Sequence, residues 1–195
     1  ERAYYLEDQY KDIRDAFVAH VEKMLVLGGV APAAAKTQAA AVLAFETRLA
    51  TASLSPIEGR DPKNQYHFVS MDEANAATPH FSWDKLFASE KIAPQGFSLS
   101  QPKFFAEMDK MLADTSVADW QAYLRYHAIR DAAPFLSENV DNEVFAFYGT
   151  TLSGQPQQRP RWKRVLGTIN GSMGEALGQL YVAQEFPAES KEQMQ

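Results

Sequence analysis

The spacing of the histidines is the most informative feature among the side chains that could carry out chemistry. The chain has 195 residues with four histidines, His20, His67, His80 and His127, and no cysteine. A catalytic zinc site needs two histidines one helical turn apart, together with a third ligand. No two histidines have this spacing, and His127 with Asp131 supplies only two ligands, which do not make a site. The sequence therefore predicts no metal ligand and no catalytic residue in this chain.

Motifs of nucleophilic catalysis and of phosphate binding are absent as well. Neither G-x-S-x-G nor G-x-x-x-x-G-K occurs, and a chain without cysteine has no catalytic thiol.

The net charge of −6 argues against nucleic acid as the main partner. No apolar run approaches the roughly 20 residues that span a bilayer. A small-molecule enzyme housed in a helical bundle is an alternative, but it requires convergent titratable groups that the sequence does not show.

A basic cluster around a tryptophan is the best candidate for a binding or junction surface. It consists of Arg159, Arg161, Trp162, Lys163 and Arg164. These cations could bind a peptide carboxylate or another anion. The favoured interpretation is that they pair with acidic residues of a neighbouring helix or domain, because structural ion pairs are common.

The helix predicted after this cluster carries four glycines, Gly167, Gly171, Gly174 and Gly178, spaced four, three and four residues apart. This spacing places them along one helical face. Each glycine inside a helix costs roughly 1 kcal/mol relative to alanine, so the face is expected to allow close approach of another element. A second stripe is apolar and consists of Leu166, Ile169, Met173, Leu177 and Leu180. We expect a helix that is buried on much of its circumference, with other elements packed against it at short range.

Helical periodicity runs through most of the chain and predicts an all-α, bundle-like fold with irregular connectors and no significant sheet. The predicted helices span residues 6–27, 32–52, 71–77, 83–89, 101–112, 117–136 and 138–151. Ser82 and Ser116 are expected N-caps, and Pro134 should bend or end its helix. In the helix at 101–112 the inward residues are expected to be Phe104, Phe105, Met108, Met111 and Leu112. The length fits a single helical domain over residues 1–195.

Both ends of the chain suggest a piece of a longer protein. The sequence begins at Glu1 without methionine and without an export signal. It closes on AESKEQMQ after Phe186-Pro187, and a proline favours the first turn of a further helix.

The most specific motifs of the chain are YGTTLSG at 148–154, RPRWKR at 159–164 and GEALGQLYV at 174–182. Together they resemble the N-terminal domain of the neprilysin and endothelin-converting-enzyme family of zinc metallopeptidases, and the resemblance is close to bacterial members such as oligopeptidase O. Earlier pieces are similar in the same order: RAYYL at 2–6 resembles the family's R-D-Y-Y motif with Ala3 in place of aspartate, and Arg60-Asp61-Pro62 with Tyr66 resembles R-D-P-x-x-x-Y.

The resemblance implies that the chain is the outer helical lobe of a two-lobed zinc endopeptidase. That lobe covers the active site, restricts it to short peptides and contacts the catalytic lobe of the same polypeptide. The family's H-E-x-x-H and N-A-x-Y/F motifs are absent here, so no catalytic residue and no metal ligand is carried over. Zinc-activated water and a glutamate base belong to the parent enzyme. The segment alone is expected to hold no cofactor and to be inactive.

A non-catalytic helical binding module, secreted or periplasmic, is the alternative function. The resemblance favours a periplasmic or secreted location and leaves the cytoplasm open.

Overall fold

The structure, a computed structural model, describes residues 1–186 and 188–193. It divides into two compact units, Glu1–Gly154 and Gln155–Gln195. The helices of the first unit are α1 (Arg2–Leu6), α2 (Lys11–Leu27), α3 (Pro32–Ala52), α4 (Pro62–Gln65), α5 (Met71–Ala77), α6 (Trp83–Ser89), α7 (Pro102–Asp114), α8 (Val117–Ala132) and α9 (Glu138–Val144). The second unit contains α10 (Arg161–Glu185) and α11 (Ala188–Gln193). The all-α prediction is confirmed, and the expectation of a single domain stays a prediction.

The helical pair α2 and α3 forms the centre of the first unit. Gly29 has a φ of +90°, which lets the Val30 amide donate to the Leu25 carbonyl at 3.0 Å and closes α2. Small side chains on α3, including the fully buried Ala35 and Ala39, allow α2 to approach closely. The main core consists of Phe17, Val21, Met24, Leu25, Ala35, Ala39, Val42, Ala122, Tyr126, Ala133, Val140 and Phe147.

The predicted helix over 6–27 is interrupted. The backbone becomes extended at Glu7, with φ −95° and ψ 137°, and a 3₁₀ turn follows at Asp8–Tyr10 before α2 begins. The guanidinium of Arg14 donates to the carbonyls of Tyr4 at 2.9 Å and Glu7 at 2.7 Å. These bonds satisfy carbonyl groups that the interruption leaves outside the helical ladder.

The helix predicted over 138–151 changes type at its middle. It is α-helical over α9 and becomes a π-helix at Phe145–Thr151. A Cβ atom at Gly149 would overlap the ring of Phe145, so glycine lets the ring lie against the backbone in this wider turn. The hydroxyl of Thr151 donates to the Ala146 carbonyl at 3.0 Å, five residues back, which suits the π geometry.

A small second core lies around Trp83, with Ala74 and Leu99. Next to it the strands β1 (Phe68–Ser70) and β2 (Gly96–Ser98) pair antiparallel, with Val69 opposite Phe97. The buried indole nitrogen of Trp83 donates to the Thr78 hydroxyl at 2.8 Å, which satisfies a polar group that burial removes from water.

Buried Asp109 on α7 connects this region to the longer helices. Its carboxylate accepts from the backbone nitrogen of His80 at 2.8 Å and lies 2.9 Å from His80 Nδ1. The predicted inward face of α7 was therefore partly wrong, because Leu112 is 39% exposed while Asp109 is buried beside Met111. A buried carboxylate is accommodated here because two donors satisfy it.

The two predicted serine N-caps and the predicted end of a helix at Pro134 are confirmed. Ser82 Oγ accepts from the Lys85 nitrogen and Ser116 Oγ accepts from the Asp119 nitrogen. The helix α8 ends before Pro134, which lies in a 3₁₀ turn. At the end of the chain the expected further helix is α11, and Pro187 lies outside the described residues. Among the described residues, none of the helices combines the length and the apolar character that a membrane span requires.

Replacing Gly96 with alanine tests the close packing of the small sheet. A Cβ atom there would overlap the carbonyl oxygen of Val69 and the ring of Phe68, so the strands must separate. We expect Gly96→Ala to lower the free energy of unfolding by about 1–3 kcal/mol, measured by urea denaturation followed by tryptophan fluorescence. Gly59→Ala is the matched control, because the nearest atom to its Cβ lies at 3.4 Å. Equal stabilities of the two variants would contradict this account.

Candidate functional site

The predicted basic cluster lies in the second unit, at the start of α10. Arg164 donates to the carbonyl of Arg159 at 2.6 Å, and Lys163 Nζ lies 5.3 Å from the centre of the Trp162 ring, which is a cation–π contact. Trp162 is 64% exposed. Among the described residues of this unit, Arg159, Arg161 and Lys163 make no ion pair. The expected pairing with acidic residues therefore stays a prediction.

Apolar side chains follow one another along the exposed surface of α10. The exposed members are Trp162, Val165, Leu166, Ile169, Met173, Leu180 and Tyr181. Over 162–173 these side chains recur at helical spacing, and the half-buried Leu177 lies between Met173 and Leu180; we call the whole set the α10 stripe. The backbone at Met173 departs from helical geometry, with φ −136° and ψ 31°, so α10 has a kink inside the stripe.

The expectation of a helix buried on much of its circumference is wrong for the described part of the chain. No residue of α10 is buried, and a Cβ atom at Gly167, Gly171 or Gly178 would meet no atom within 4 Å. At Gly174 the nearest atom is Oδ1 of Asn170, at 3.8 Å. Helical spacing identifies a face that tolerates close packing, but it does not say where the packing element comes from. The packing role of the four glycines stays a prediction.

Two histidine–glutamate pairs lie inside the first unit, and no sequence motif predicts either of them. His127 Nε2 on α8 lies 2.8 Å from Oε1 of Glu46 on α3. His20 Nδ1 on α2 lies 3.1 Å from Oε1 of Glu143 on α9. Asp131 instead accepts from the neighbouring Arg130 at 2.7 Å, so His127 and Asp131 do not converge on one ion.

One buried tyrosine, Tyr126, and two partly buried ones, Tyr123 and Tyr148, lie near these pairs. The hydroxyls of Tyr126 and Tyr148 are 3.0 Å apart, so the π-helix is bonded to α8. Burial raises the pKa of Tyr126, and the neighbouring Tyr148 adds to the shift. Burial, followed by the charge of Glu46, raises the pKa of Tyr123 to about 12. The phenols of Tyr126 and Tyr123 are therefore neutral at physiological pH and do not act as bases.

His20 is the most constrained titratable group of the cluster. Its ring stacks on Phe147 of the π-helix, with centroids 4.9 Å apart and planes inclined by 13°. Burial lowers the pKa of His20, although its bond to Glu143 acts in the opposite direction. Its Nε2 atom has no hydrogen-bond partner in the described structure. A neutral imidazole is therefore the form that this environment stabilises.

A cavity of 640 Å³ opens in the first unit beside Glu46. Residues from α1, α3, the 3₁₀ turn at Glu58–Arg60 and the start of α7 form its wall. The lining residues include Arg2, Tyr5, Glu46, Leu49, Leu54, Arg60, Gln101 and Phe104. They come from distant parts of the sequence, so no local motif could have predicted the cavity.

The described residues do not fit a zinc ion. They contain no group of three or more histidine, cysteine, aspartate or glutamate side chains that could hold a metal. The geometry supports side-chain packing and binding surfaces, and no chemical step is assigned to a residue of this chain.

Over its full length the chain has the fold of a region of bacterial zinc metalloproteases. It superposes on Zmp1 of Mycobacterium tuberculosis in its open state with a TM-score of 0.90 and 29% identity, covering 100% of this chain and 31% of Zmp1. For the Zmp1 inhibitor complex the TM-score is 0.87 at 29% identity, with coverage of 100% and 30%. The sequence profile of Peptidase family M13 matches residues 1–195, and the chain belongs to this family.

Curated relatives agree with this assignment. Neprilysin-2 of Drosophila melanogaster is 27% identical over 97% of this chain and 27% of its own length. Endothelin-converting enzyme 1 of Bos taurus is 23% identical over 97% of this chain and 26% of its own length. The chain thus spans about a quarter of the length of these relatives, in the N-terminal region that the family profile describes.

Substitution of Gly171 by leucine tests whether residues of this chain pack against the glycine face. Because a Cβ atom at Gly171 meets nothing within 4 Å, we expect Gly171→Leu to leave the thermal midpoint of this chain unchanged or slightly raised. Gly149→Leu is the control, since it would overlap the Phe145 ring and should lower the midpoint. The measurement is circular dichroism during heating. A clear loss of stability in Gly171→Leu would show that the glycine face is packed within the chain.

The lowered pKa of His20 predicts that acid destabilises the first unit. The unfolded state binds a proton near the ordinary histidine pKa of about 6.5, while the folded state binds it only at lower pH. Stability contributed by neutral His20 is therefore complete above this pH and is lost as the pH falls, by at most about 1.4 kcal/mol per pH unit for one proton. Urea denaturation between pH 7 and pH 5 measures this dependence.

The control for this prediction is His20→Phe. It keeps an aromatic ring on Phe147 and removes the titrating group, while Glu143 retains Lys23 at 3.5 Å. The variant should show a weaker dependence of unfolding free energy on pH than the wild type. An unchanged dependence would assign the acid sensitivity to another residue.

Proposed function

We propose that the parent protein is a zinc-dependent metalloendopeptidase that hydrolyses short peptides. In this proposal the chain is the helical lobe that covers the active-site cavity and limits the size of substrates. The observation that carries it is the family match over residues 1–195, together with the full-length superposition on a zinc metalloprotease. The chain spans about a third of Zmp1, which leaves the larger part of such an enzyme to other residues.

The catalytic chemistry is assigned to residues outside this chain. Its described side chains offer no three-ligand metal group, so zinc and the general base would be supplied by the catalytic lobe of the same polypeptide. The proposed role of this chain is structural. Its first unit has its own buried core, and α10 has an exposed apolar surface. The isolated chain should therefore bind no zinc and cleave no peptide.

The partner proposed for α10 is that catalytic lobe. The α10 stripe is apolar and exposed, and monomeric proteins rarely expose a long apolar patch without a partner. The basic cluster, Arg159, Arg161, Trp162, Lys163 and Arg164, begins next to this stripe and would lie near the junction. The four glycines would permit close backbone approach there.

Peptide hydrolysis by the parent protein tests the function. We expect the full-length protein to cleave short peptides, to lose this activity in a zinc chelator and to regain it when zinc is restored. A large unfolded protein should be cleaved far more slowly than a short peptide, because the covering lobe would exclude it. The present chain alone should show no hydrolysis. Rates are measured by mass spectrometry of the products.

Two outcomes would contradict the proposal in different ways. Chelator-sensitive hydrolysis by the present chain alone would place the chemistry inside this segment. Equal rates on short peptides and on a large unfolded protein would remove the size-limiting role while leaving the peptidase activity intact.

A further inference from the structure

The cavity beside Glu46 contains a carboxylate that the chain satisfies only in part. Oε1 of Glu46 lies 2.8 Å from His127 Nε2, while Oε2 makes no hydrogen bond or ion pair with the described residues. The Glu46 side chain is only 17% exposed. Oε2 is not among the fully buried polar atoms that lack a partner, so water reaches it, and a ligand that brings donors into the cavity can replace this water.

Tyr5 lies in the same cavity wall and adds an aromatic surface beside this carboxylate. Burial, followed by the charge of Glu46, raises the pKa of Tyr5, so the phenol is neutral. Its hydroxyl has no hydrogen-bond partner among the described residues. A carboxylate next to an aromatic ring is the combination that suits an ammonium group, through charge and cation–π attraction.

Gln101 is held in a strained conformation at the cavity wall. Its φ of +57° and ψ of 63° place a non-glycine residue in the left-handed region, which is uncommon and costs free energy. Oε1 of Gln101 accepts from the Leu54 nitrogen at 2.9 Å, which fixes the segment after α3. The Nε2 atom makes no hydrogen bond with the described residues and is a donor available to a peptide carbonyl.

The remaining lining is apolar or balanced in charge. Leu49, Leu54 and Phe104 supply apolar surface. Arg2 is already engaged, since it donates to the Ser53 carbonyl at 3.1 Å and lies 3.7 Å from Glu58. The two arginines of the lining, Arg2 and Arg60, are matched by Glu1 and Glu46, so the cavity suits neither a phosphate nor a polycation.

We propose that this cavity binds the amino-terminal residue of a peptide. The ammonium group lies on Glu46 beside Tyr5, the first side chain packs against Leu49, Leu54 and Phe104, and the amide of Gln101 donates to a backbone carbonyl. The proposal rests on the proposed function only in taking a peptide as the ligand. It adds a binding site on the helical lobe that recognises the free amino group of the peptide.

The test compares a tetrapeptide, Leu-Gly-Gly-Gly, with its N-acetylated twin. Binding is measured by isothermal titration calorimetry on the full-length parent protein, with zinc removed by a chelator so that the peptide is not cleaved. We expect the free amine to bind about tenfold more tightly than the acetylated form in the wild type. Glu46→Gln should abolish most of this difference, because the neutral amide no longer attracts the ammonium group.

Glu143→Gln is the matched control, since Glu143 is also a half-buried glutamate paired with a histidine, is 15% exposed and does not line this cavity. This variant should keep the tenfold preference. Leu54→Trp fills the cavity without altering its charges, and it should weaken binding of both peptides. Far-ultraviolet circular dichroism shows that each variant is folded.

The proposal is overturned if the wild type shows no preference for the free amine, if Glu46→Gln keeps it, or if Leu54→Trp binds both peptides as the wild type does. Its failure can be separated from that of the proposed function. An active peptidase without a preference for the free amine would remove this site alone. A parent protein that never hydrolyses peptides but shows the Glu46-dependent preference would remove the peptidase function alone.

Discussion

The stacking of His20 on Phe147 is the contact on which the arrangement of the first unit depends. It joins α2 to the π-helix, while the bond from His20 to Glu143 joins α2 to α9. The same ring meets Tyr126 of α8 edge-on, at 5.9 Å between centroids. One buried imidazole therefore contacts three elements. Only Nδ1 of this ring has a hydrogen-bond partner, and Nε2 has none among the described residues. A proton on Nε2 would place an unpaired donor in the core, so the packing favours the neutral ring.

The π-helix is what makes this contact geometrically available. A seven-residue wider turn at Phe145–Thr151 places Phe147 under His20 and the Tyr148 hydroxyl at Tyr126. An α-helical continuation would rotate successive side chains by a different angle, so both contacts could not be kept together. The motif at 148–154, which carried much of the family resemblance, therefore begins in a segment whose geometry is set by core packing.

Histidine–carboxylate pairs join elements that are far apart in the sequence. His20 with Glu143, His80 with Asp109 and His127 with Glu46 are separated by 123, 29 and 81 residues. Each pair places a polar contact between packed helices or between a helix and a connector. Removing one partner takes a hydrogen bond from the other, although Glu143 keeps Lys23 at 3.5 Å and Asp109 keeps the His80 backbone nitrogen at 2.8 Å. The pairs thus help to determine which helix surfaces pack together. The rings of His20 and His127 also contact the neighbouring tyrosines.

What could be predicted from the sequence was local. The bounds of α3, α5 and α6 followed from prolines, serine caps and helical spacing, because these signals act within one or two turns. The interruption at Glu7 and the π-helix were missed, since both depend on contacts with Arg14 or Phe145 that spacing does not encode. The cavity was missed for the same reason: α1, α3 and α7 bring its residues together only after folding.

The helix α10 shows where a correct pattern leads to a wrong structural conclusion. Its spacing does identify an apolar face and a glycine face, yet none of its residues is buried. Considered by itself, a helix with four glycines and a kink at Met173 has low intrinsic stability, because most helical stability in proteins comes from packing an amphipathic face. A sequence that keeps both faces through such a helix is best explained by packing against residues other than those described here. The junction proposed for α10 would supply this packing from the remainder of the parent protein, because this chain covers only 31% of Zmp1.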